Sequence, residues 1–441
     1  MKTIVVYFVL LVSFFAHSQC VQKIAVGYEH NLVIKNDGTL WGWGNNNGGE
    51  LGLNTNQPEY FTPQLISSST VWSKVFTGVS KCSFAIKNDG TLWVWGDGVG
   101  GRLGLGNQSL IYIPTQLGTE TDWDYVTSGS HTIAKKTNGT LWGWGSNIYG
   151  QLNLGTNSIE LNPVQISTAT NWQKIVCGGL HTLAIKTDGT LWACGLNDYG
   201  QLGDGTTINK LNFVQIGTDN DWVEITANFK HSVALKSNGT MWGWGYNNSN
   251  VLLPITTTQI LTPTQMGLST NWLQISTGYY QTSALKTNGT LWSNDENGFY
   301  QIGTDNDWTN TLCGSGHNFY IKSNGSIWGI GGNAHGQLGL GNAIAGTFAP
   351  TELECTALSI DDFSLNNNFT IYPNPTNNRL FIKNNNLVAI DKIIISDLTG
   401  KILFESTTNI SEIDFDSFQN GIYLLTIATE KNKSLHKIIK K

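Results

Sequence analysis

Histidine recurs at one place in this sequence. His30, His181, His231 and His317 each stand in the second strand of a repeat, ahead of an Asx-Gly pair, with His131 read as one residue out of frame. A ring of imidazoles suggests a metal centre. Two ligands of one zinc must bring their nitrogens within about 4 Å, given Zn–N near 2.1 Å, whereas equivalent positions on neighbouring sheets stand about 10 Å apart. Structural hydrogen bonding therefore accounts for the histidines better than a metal does, and no cofactor is expected. Lysine recurs as regularly, at Lys35, Lys87, Lys136, Lys186, Lys236, Lys286 and Lys322. Two readings follow: a positive ring for an acidic partner, or solvated side chains keeping strand ends soluble.

Catalysis finds little support. Repeated carboxylates such as Asp122, Asp219, Asp221, Asp305 and Asp307 sit in turns ahead of a tryptophan. No Gly-x-Ser-x-Gly elbow, His-Glu-x-x-His pair or phosphate-binding loop occurs, and the calcium-loop pattern is missing. The expectation is that the protein is not an enzyme. Aromatics that break the repeat are better candidates, since protein-binding faces are rich in them. Tyr28-Glu29, Phe229-Lys230 and Tyr279-Tyr280 fall between first and second strands and form the candidate rim. Loops read as opposite carry Tyr149, Tyr199, Tyr246 and Phe299.

The elements that hold these residues are repeats. Asx-Gly glycines at Gly38, Gly90, Gly139, Gly189, Gly239, Gly289 and Gly325 are spaced by 52, 49, 50, 50, 50 and 36 residues. A period near fifty indicates a solenoid, propeller or array. Composition agrees: 50 Gly and 17 Trp with only 13% charged residues favour strands and tight turns over long helices. Read as a two-residue type I′ turn, Asn238-Gly239 sets Leu235 opposite Trp242, Ala234 opposite Gly243 and Val233 opposite Trp244. Alternation then makes one face bulky and the other small, so that stacked sheets fit bulky against small. All 17 tryptophans obey the repeat, which makes them packing elements rather than a binding platform. Four short strands per repeat are one propeller blade, and seven copies run from Val21 to about Leu353. The sixth is short, since "QIGTDNDW" returns only a few residues after Trp292, and its rim is expected to be thin.

The segment "GGLHTLAIKTDGTLWACGLNDYGQLGDGT", Gly178–Thr206, resembles a repeat of the regulator of chromosome condensation family. The matching features are Gly-x-x-His, the Asx-Gly turn, the aromatic before Gly, and Asn-x-x-Gly-Gln-Leu-Gly. The resemblance implies a seven-bladed propeller and says little of function, which is grafted onto folds. It extends to a secreted inhibitor of β-lactamase built on this propeller, so inhibition of an extracellular enzyme is a second reading and an enzyme with a loop-built site a third.

Both chain ends read as export signals. Residues 1–18 have a basic start at Lys2, an apolar core and Ala16-His17-Ser18 as a cleavage site. The propeller is placed at 19–355 and a polar linker at 356–366. Residues 367–441 read as a small β-sandwich of short alternating strands. They resemble the C-terminal sorting domain of the type IX (Por) secretion system of Bacteroidetes, through Tyr372-Pro373-Asn374-Pro375, the Asp397–Gly400 turn, Gly421, Tyr423, and Lys440-Lys441. That resemblance implies passage across the outer membrane, with the protein released or held at the cell surface, and contact with the type IX machinery. Export makes a disulfide between Cys20 and Cys355, stapling the ends of the repeat array, a candidate. Net charge is −6 with scattered cations, a poor match for nucleic acid. The expected partner is an extracellular protein or glycan, and the expected state is a monomer without a membrane span.

Overall fold

The structure is a computed structural model. It describes residues 21–247, 252, 257–279, 281–295, 297–341, 346–353, 369–384, 389–397, 401–407, 410–429 and 433–441. Cys20, Cys355, the leader 1–18 and the linker 356–366 lie outside these, so the proposed disulfide does too.

Each repeat closes on its hairpin. In the fifth, the Lys236 amide donates to the Thr240 carbonyl at 3.1 Å and the Gly239 amide to the Lys236 carbonyl at 2.9 Å. Gly239 has φ 77°, while among the described residues only Asn54 and Asn153 are non-glycines with positive φ. The loop is therefore three residues, a tight turn ending in a left-handed glycine, instead of the expected two-residue turn, which needs positive φ at the asparagine as well. The Asn238 carboxamide oxygen instead accepts from the amide and hydroxyl of Thr240, which in turn accepts from the Trp242 indole at 2.8 Å.

One added loop residue shifts the register by one. Ala234 faces Trp242, Ser232 faces Trp244, and Val233 faces Gly243. The expectation of one bulky and one small face is thereby corrected. Tryptophan lies beside Ser or Ala on one face, and Val, Leu and Met lie beside Gly on the other, so each face mixes large and small side chains. His131 pairs with Gly145 as His30 pairs with Gly44, so it too is in frame.

Seven four-stranded antiparallel sheets follow in order, at 21–67, 72–116, 123–167, 172–215, 222–265, 272–301 and 308–353. In blade four the strands are Trp172–Cys177, His181–Lys186, Leu191–Gly195 and Lys210–Gln215. Blade six ends in a strand of only four residues, Gly298–Gln301. The aliphatic face of each blade meets the tryptophan face of the next: Leu183, Ile185 and Leu191 share a cluster with Trp222, Ala234 and Trp244. Phe319 and Ile327 of blade seven cluster with Val33, Trp41 and Trp43 of blade one. The ring is therefore closed. Blade one consists of consecutive strands from the start of the repeats, so no strand is exchanged across the seam. Burial confirms the packing role of the indoles: Trp43, Trp95, Trp144 and Trp244 are wholly inaccessible.

A polar circuit repeats between blades. The His181 Nε2 meets Ser232 Oγ at 3.1 Å, and Ser232 donates to the Gln201 carbonyl at 2.8 Å. The Trp244 indole donates to that same carbonyl at 2.9 Å. His30, Ser83, the Glu50 carbonyl and Trp95 repeat it. At the seam Asn31 replaces the hydroxyl: His317 donates to its Oδ1, and its Nδ2 and the Trp43 indole both donate to the Gln337 carbonyl. Because the hydroxyl spends its proton on a carbonyl, the imidazoles of His30, His131 and His181 must donate from Nε2, whereas Nε2 of His231 meets no partner and stands outside the circuit. This is the structural role expected for these histidines.

The Gly-x-x-His spacing has a steric cause. A Cβ on Gly27 would stand 2.6 Å from His30 Cε1 and 2.9 Å from Nδ1. Gly27→Ala is expected to destabilise by about 1–3 kcal/mol, the usual range for overpacking. The double variant with His30→Ser is expected to recover part of that loss in urea titrations, and strict additivity would reject the steric account.

The lysines are not freely solvated but half-buried or buried against the blades. Each lies over tryptophan rings, with Nζ-to-centroid distances from 3.6 Å for Lys87 and Trp93 to 5.2 Å for Lys322 and Trp328. Burial disfavours the Lys236 charge, yet hydrogen bonds to Asp219 and Asp221 hold its pKa above the ordinary value. Lys286 has two indoles, and burial lowers its pKa.

The chain divides at residue 358. In the tail, one sheet joins Phe369–Tyr372, Arg379–Asn384 and Glu412–Asp414, and another joins Lys392–Ser396, Ile402–Ser406, Gly421–Ala428 and Lys433–Lys440. Leu380, Ile393, Phe415, Leu425 and Ile438 fill the core between them.

Candidate functional site

In an antiparallel blade, the loop after the first strand and the loop after the third leave the same end. The Tyr246 amide donates to the Lys230 carbonyl, and the Leu196 amide to the Leu180 carbonyl, both at 2.9 Å. Tyr149, Tyr199 and Tyr246 therefore share the face of Tyr28, Phe229 and Tyr279, which corrects their placement on the opposite side.

Two groups form on that face. Around the axis, the Phe229 ring lies 6.1 Å from Tyr28 and 4.8 Å from Tyr279. Three blades remote in sequence thus bring their loop aromatics together. The loops are tied to each other by their backbones: the Ser315 amide donates to Tyr28 and the Tyr279 amide to Ser315, at 3.0 and 3.2 Å. Asn228 Oδ1 caps the Phe229 amide at 2.7 Å, and its Nδ2 reaches the Thr277 carbonyl at 3.2 Å. Beneath the aromatics is a cavity of about 250 Å³ of mixed lining, with Thr127 and Ser276 beside Val176 and Leu312. Farther out, Lys230 donates to the Tyr199 hydroxyl at 3.3 Å and lies 4.5 Å from that ring and 5.5 Å from Tyr246. The two tyrosines meet edge to face at 4.9 Å.

Of the six candidate rim residues, Tyr28, Phe229 and Tyr279 come together and Lys230 joins the tyrosine pair. Glu29 is instead engaged by the Asn45 carboxamide at 2.9 Å, and Tyr280 lies outside the described residues. Sequence reading missed the Tyr199–Tyr246 pair. Strand direction alone would have found it, because a blade of known register sends both loops one way. All of these rings are half-buried, so they offer edges and faces on a preformed surface. Among the described residues, no group of three or more His, Cys, Asp or Glu side chains is placed to hold a metal.

The tail motif also assembles. Thr376, wholly buried, donates its amide to the Ile439 carbonyl at 2.8 Å and accepts from the Lys441 amide at 3.0 Å. Asn374 Oδ1 accepts from the Ile439 amide at 2.9 Å. The Tyr372–Pro375 stretch is thus strapped to the terminal strand, where Lys440 pairs with Gly421. Tyr423 donates to the Gln419 carbonyl at 2.7 Å, and Tyr372, exposed along with Pro373 and Pro375, stacks on Phe381.

Comparison with known proteins bears on both parts. Residues 370–441 match the model of a secretion system C-terminal sorting domain. Residues 37–85, 89–134, 138–185 and 188–235 match the regulator of chromosome condensation (RCC1) repeat, and a second model of that repeat matches 21–50, 172–201 and 222–250. The chain is 36% identical over 107 residues to the human X-linked retinitis pigmentosa GTPase regulator, spanning 23% of this chain and 10% of that protein. It is 28% identical over 101 residues to the Arabidopsis thaliana Ultraviolet-B receptor, 23% of each. Among solved structures, human WBSCR16 superposes with TM-score 0.64 at 19% identity, covering 71% of this chain and 94% of that one. Yeast RCC1 superposes at 0.52 and 18% identity, covering 80% and 77%. These structures share the fold. The sorting tail indicates export to the cell surface or medium, and no described helix is long and apolar enough to cross a membrane.

Proposed function

We propose that this protein, a propeller of regulator of chromosome condensation repeats carrying a secretion system C-terminal sorting domain, is a non-catalytic module that binds another protein outside the cell. Residues 19–355 form the binding unit, and 367–441 address it to the type IX machinery. The observation that carries the reading is the convergence of Tyr28, Phe229 and Tyr279 on one face, beside the Tyr199–Lys230–Tyr246 group. Aromatics on a rigid scaffold give contact area at little entropic cost, and such residues dominate interface energies.

The test is capture from culture medium or host matrix on immobilised protein. Phe229→Ala is expected to weaken capture of a specific protein by about tenfold or more, a loss typical of an interfacial anchor. Leu268→Ala, at an exposed residue of an inter-blade link, is expected to leave capture unchanged. Equal capture by both variants would exclude the aromatic face. A partner whose hydrolytic activity falls on binding would make the module an inhibitor, whereas turnover of a substrate by the protein alone would replace binding with catalysis.

A further inference from the structure

At the other end of the axis the repeat is broken in a way that packing does not require. Two residues after the start of each inner strand, a side chain faces the axis and its backbone pairs with the second strand. Six blades put a polar residue on the axis against an aliphatic partner: Lys23 with Ile34, Lys74 with Ile86, Lys174 with Ile185, Glu224 with Leu235, Gln274 with Leu285 and Asn310 with Ile321. Blade three inverts the pair, with Tyr125 on the axis and Lys135 in the aliphatic place.

The inversion opens onto a cavity of about 470 Å³ bounded by blades one to four. Four ammonium groups line it, those of Lys23, Lys74, Lys135 and Lys174, with Asp124 as the carboxylate in its wall. Asp124 is shared by Lys74 at 2.5 Å and Lys135 at 4.0 Å. Lys174 is paired with Glu224, and among the described residues Lys23 makes no ion pair. Two carboxylates therefore face four cations. Gln173 adds one amide, and the rest of the wall is largely apolar, from Ile24, Val75, Phe76, Tyr125, Trp172 and Ile175. Placing a lysine in an aliphatic position beside a third and a fourth cation raises the local positive potential, and a concave site focuses it. The volume lies within the range of small-molecule sites.

We propose that this cavity binds a small sugar-sized ligand through an oxyanion, a carboxylate or a phosphate ester, held among Lys23, Lys74 and Lys135 with its carbon skeleton against the apolar wall. The site is separate from the aromatic face and stands or falls independently of it.

Calorimetric titration of the full-length protein with glucuronate, glucose 6-phosphate and glucose tests this. At least one charged sugar is expected to bind and glucose is not, with affinity falling as salt rises. Stronger binding of glucuronate assigns a carboxylate site, and stronger binding of glucose 6-phosphate a phosphate ester site. Lys135→Ile restores the residue type used by other blades and so keeps the fold, and it is expected to lower affinity by about tenfold or more, as for a lost charge-assisted hydrogen bond. Lys23→Gln, at an exposed side chain, is expected to lower it as well. Binding of glucose as tight as the charged sugars, absence of binding by all three, or unchanged affinity in both variants would overturn the assignment.

Discussion

Acidification from pH 7 to pH 5 is expected to strip this propeller of most of its stability. His30, His131, His181 and His317 are buried between blades, and burial lowers each pKa from 6.5 to about 3; for His231 it is about 4. Neighbours add to this, His317 and Lys81 acting on His30, His181 on His131, and His231 on His181. The hydrogen-bond circuit gives the local reason. Nε2 already donates, so an added proton must sit on Nδ1, which in His30, His131, His181 and His317 has no partner.

The direction is set by which state binds the protons. Below pH 6.5 the unfolded chain takes up protons that the folded one refuses, so stability falls as pH falls, from about 6.5 down to about 3. At about 1.4 kcal/mol per pH unit, each histidine costs about 2 kcal/mol by pH 5. Five together approach the whole stability of an ordinary domain, about 5–15 kcal/mol. Glu50, raised by burial, works in the opposite sense and offsets a fraction. The measurement is the thermal midpoint against pH. Blade six carries Gln281 in the histidine place, bonded to Asn318 at 3.0 Å, so His181→Gln is a variant the fold already uses. It is expected to remove about one histidine's share of the slope. A midpoint that stays level from pH 7 to 5 would falsify the neutral-belt account.

The second large effect is expected at the seam. Trp43→Ala should cost about 3–5 kcal/mol, as for other buried aromatics. Trp43 is wholly buried, meets Phe319 edge to face at 5.9 Å, and donates to the Gln337 carbonyl. Among the described residues, blades one and seven are joined by side chains and loop contacts, such as Glu59 to His335 and the Gly341 amide to Phe61. Hydrogen exchange should accordingly accelerate in blades one and seven first. The matching change inside the ring, Trp144→Ala, should cost a similar amount and loosen blades two and three instead. Trp43→Phe keeps the ring contact and loses one hydrogen bond, which is worth about 1 kcal/mol. Identical exchange patterns for the two alanine variants would show that the seam is no weaker than any other junction.

Several features were readable from residues alone for a definite reason. The fifty-residue period, the strand count and the packing role of tryptophan all follow from local pattern, since each repeat must hide the same apolar set. The tail's turns and alternation were legible in the same way. The register was not. An Asx-Gly pair serves a two-residue turn and a three-residue loop equally well, and only the bond between Lys236 and Thr240 separates them. A one-residue difference exchanges the faces of every side chain on one strand relative to the other. The lysines misled for a related reason: their neighbours are tryptophans from the strands on either side, such as Trp222 and Trp242 about Lys236, and the Asp219–Asp221 turn.

By itself, then, the amino-acid order determined what repeats: blades of four strands, the short sixth blade, and a tail of a different kind. Tertiary structure alone decided what meets whom. Tyr28, Phe229 and Tyr279 are some two hundred and fifty residues apart at the extremes, and Lys23 and Lys174 about one hundred and fifty. They become neighbours because a closed ring brings every inner strand to one axis. Local pattern carries no information about contacts across that axis, which exist only once the first blade is seated against the last.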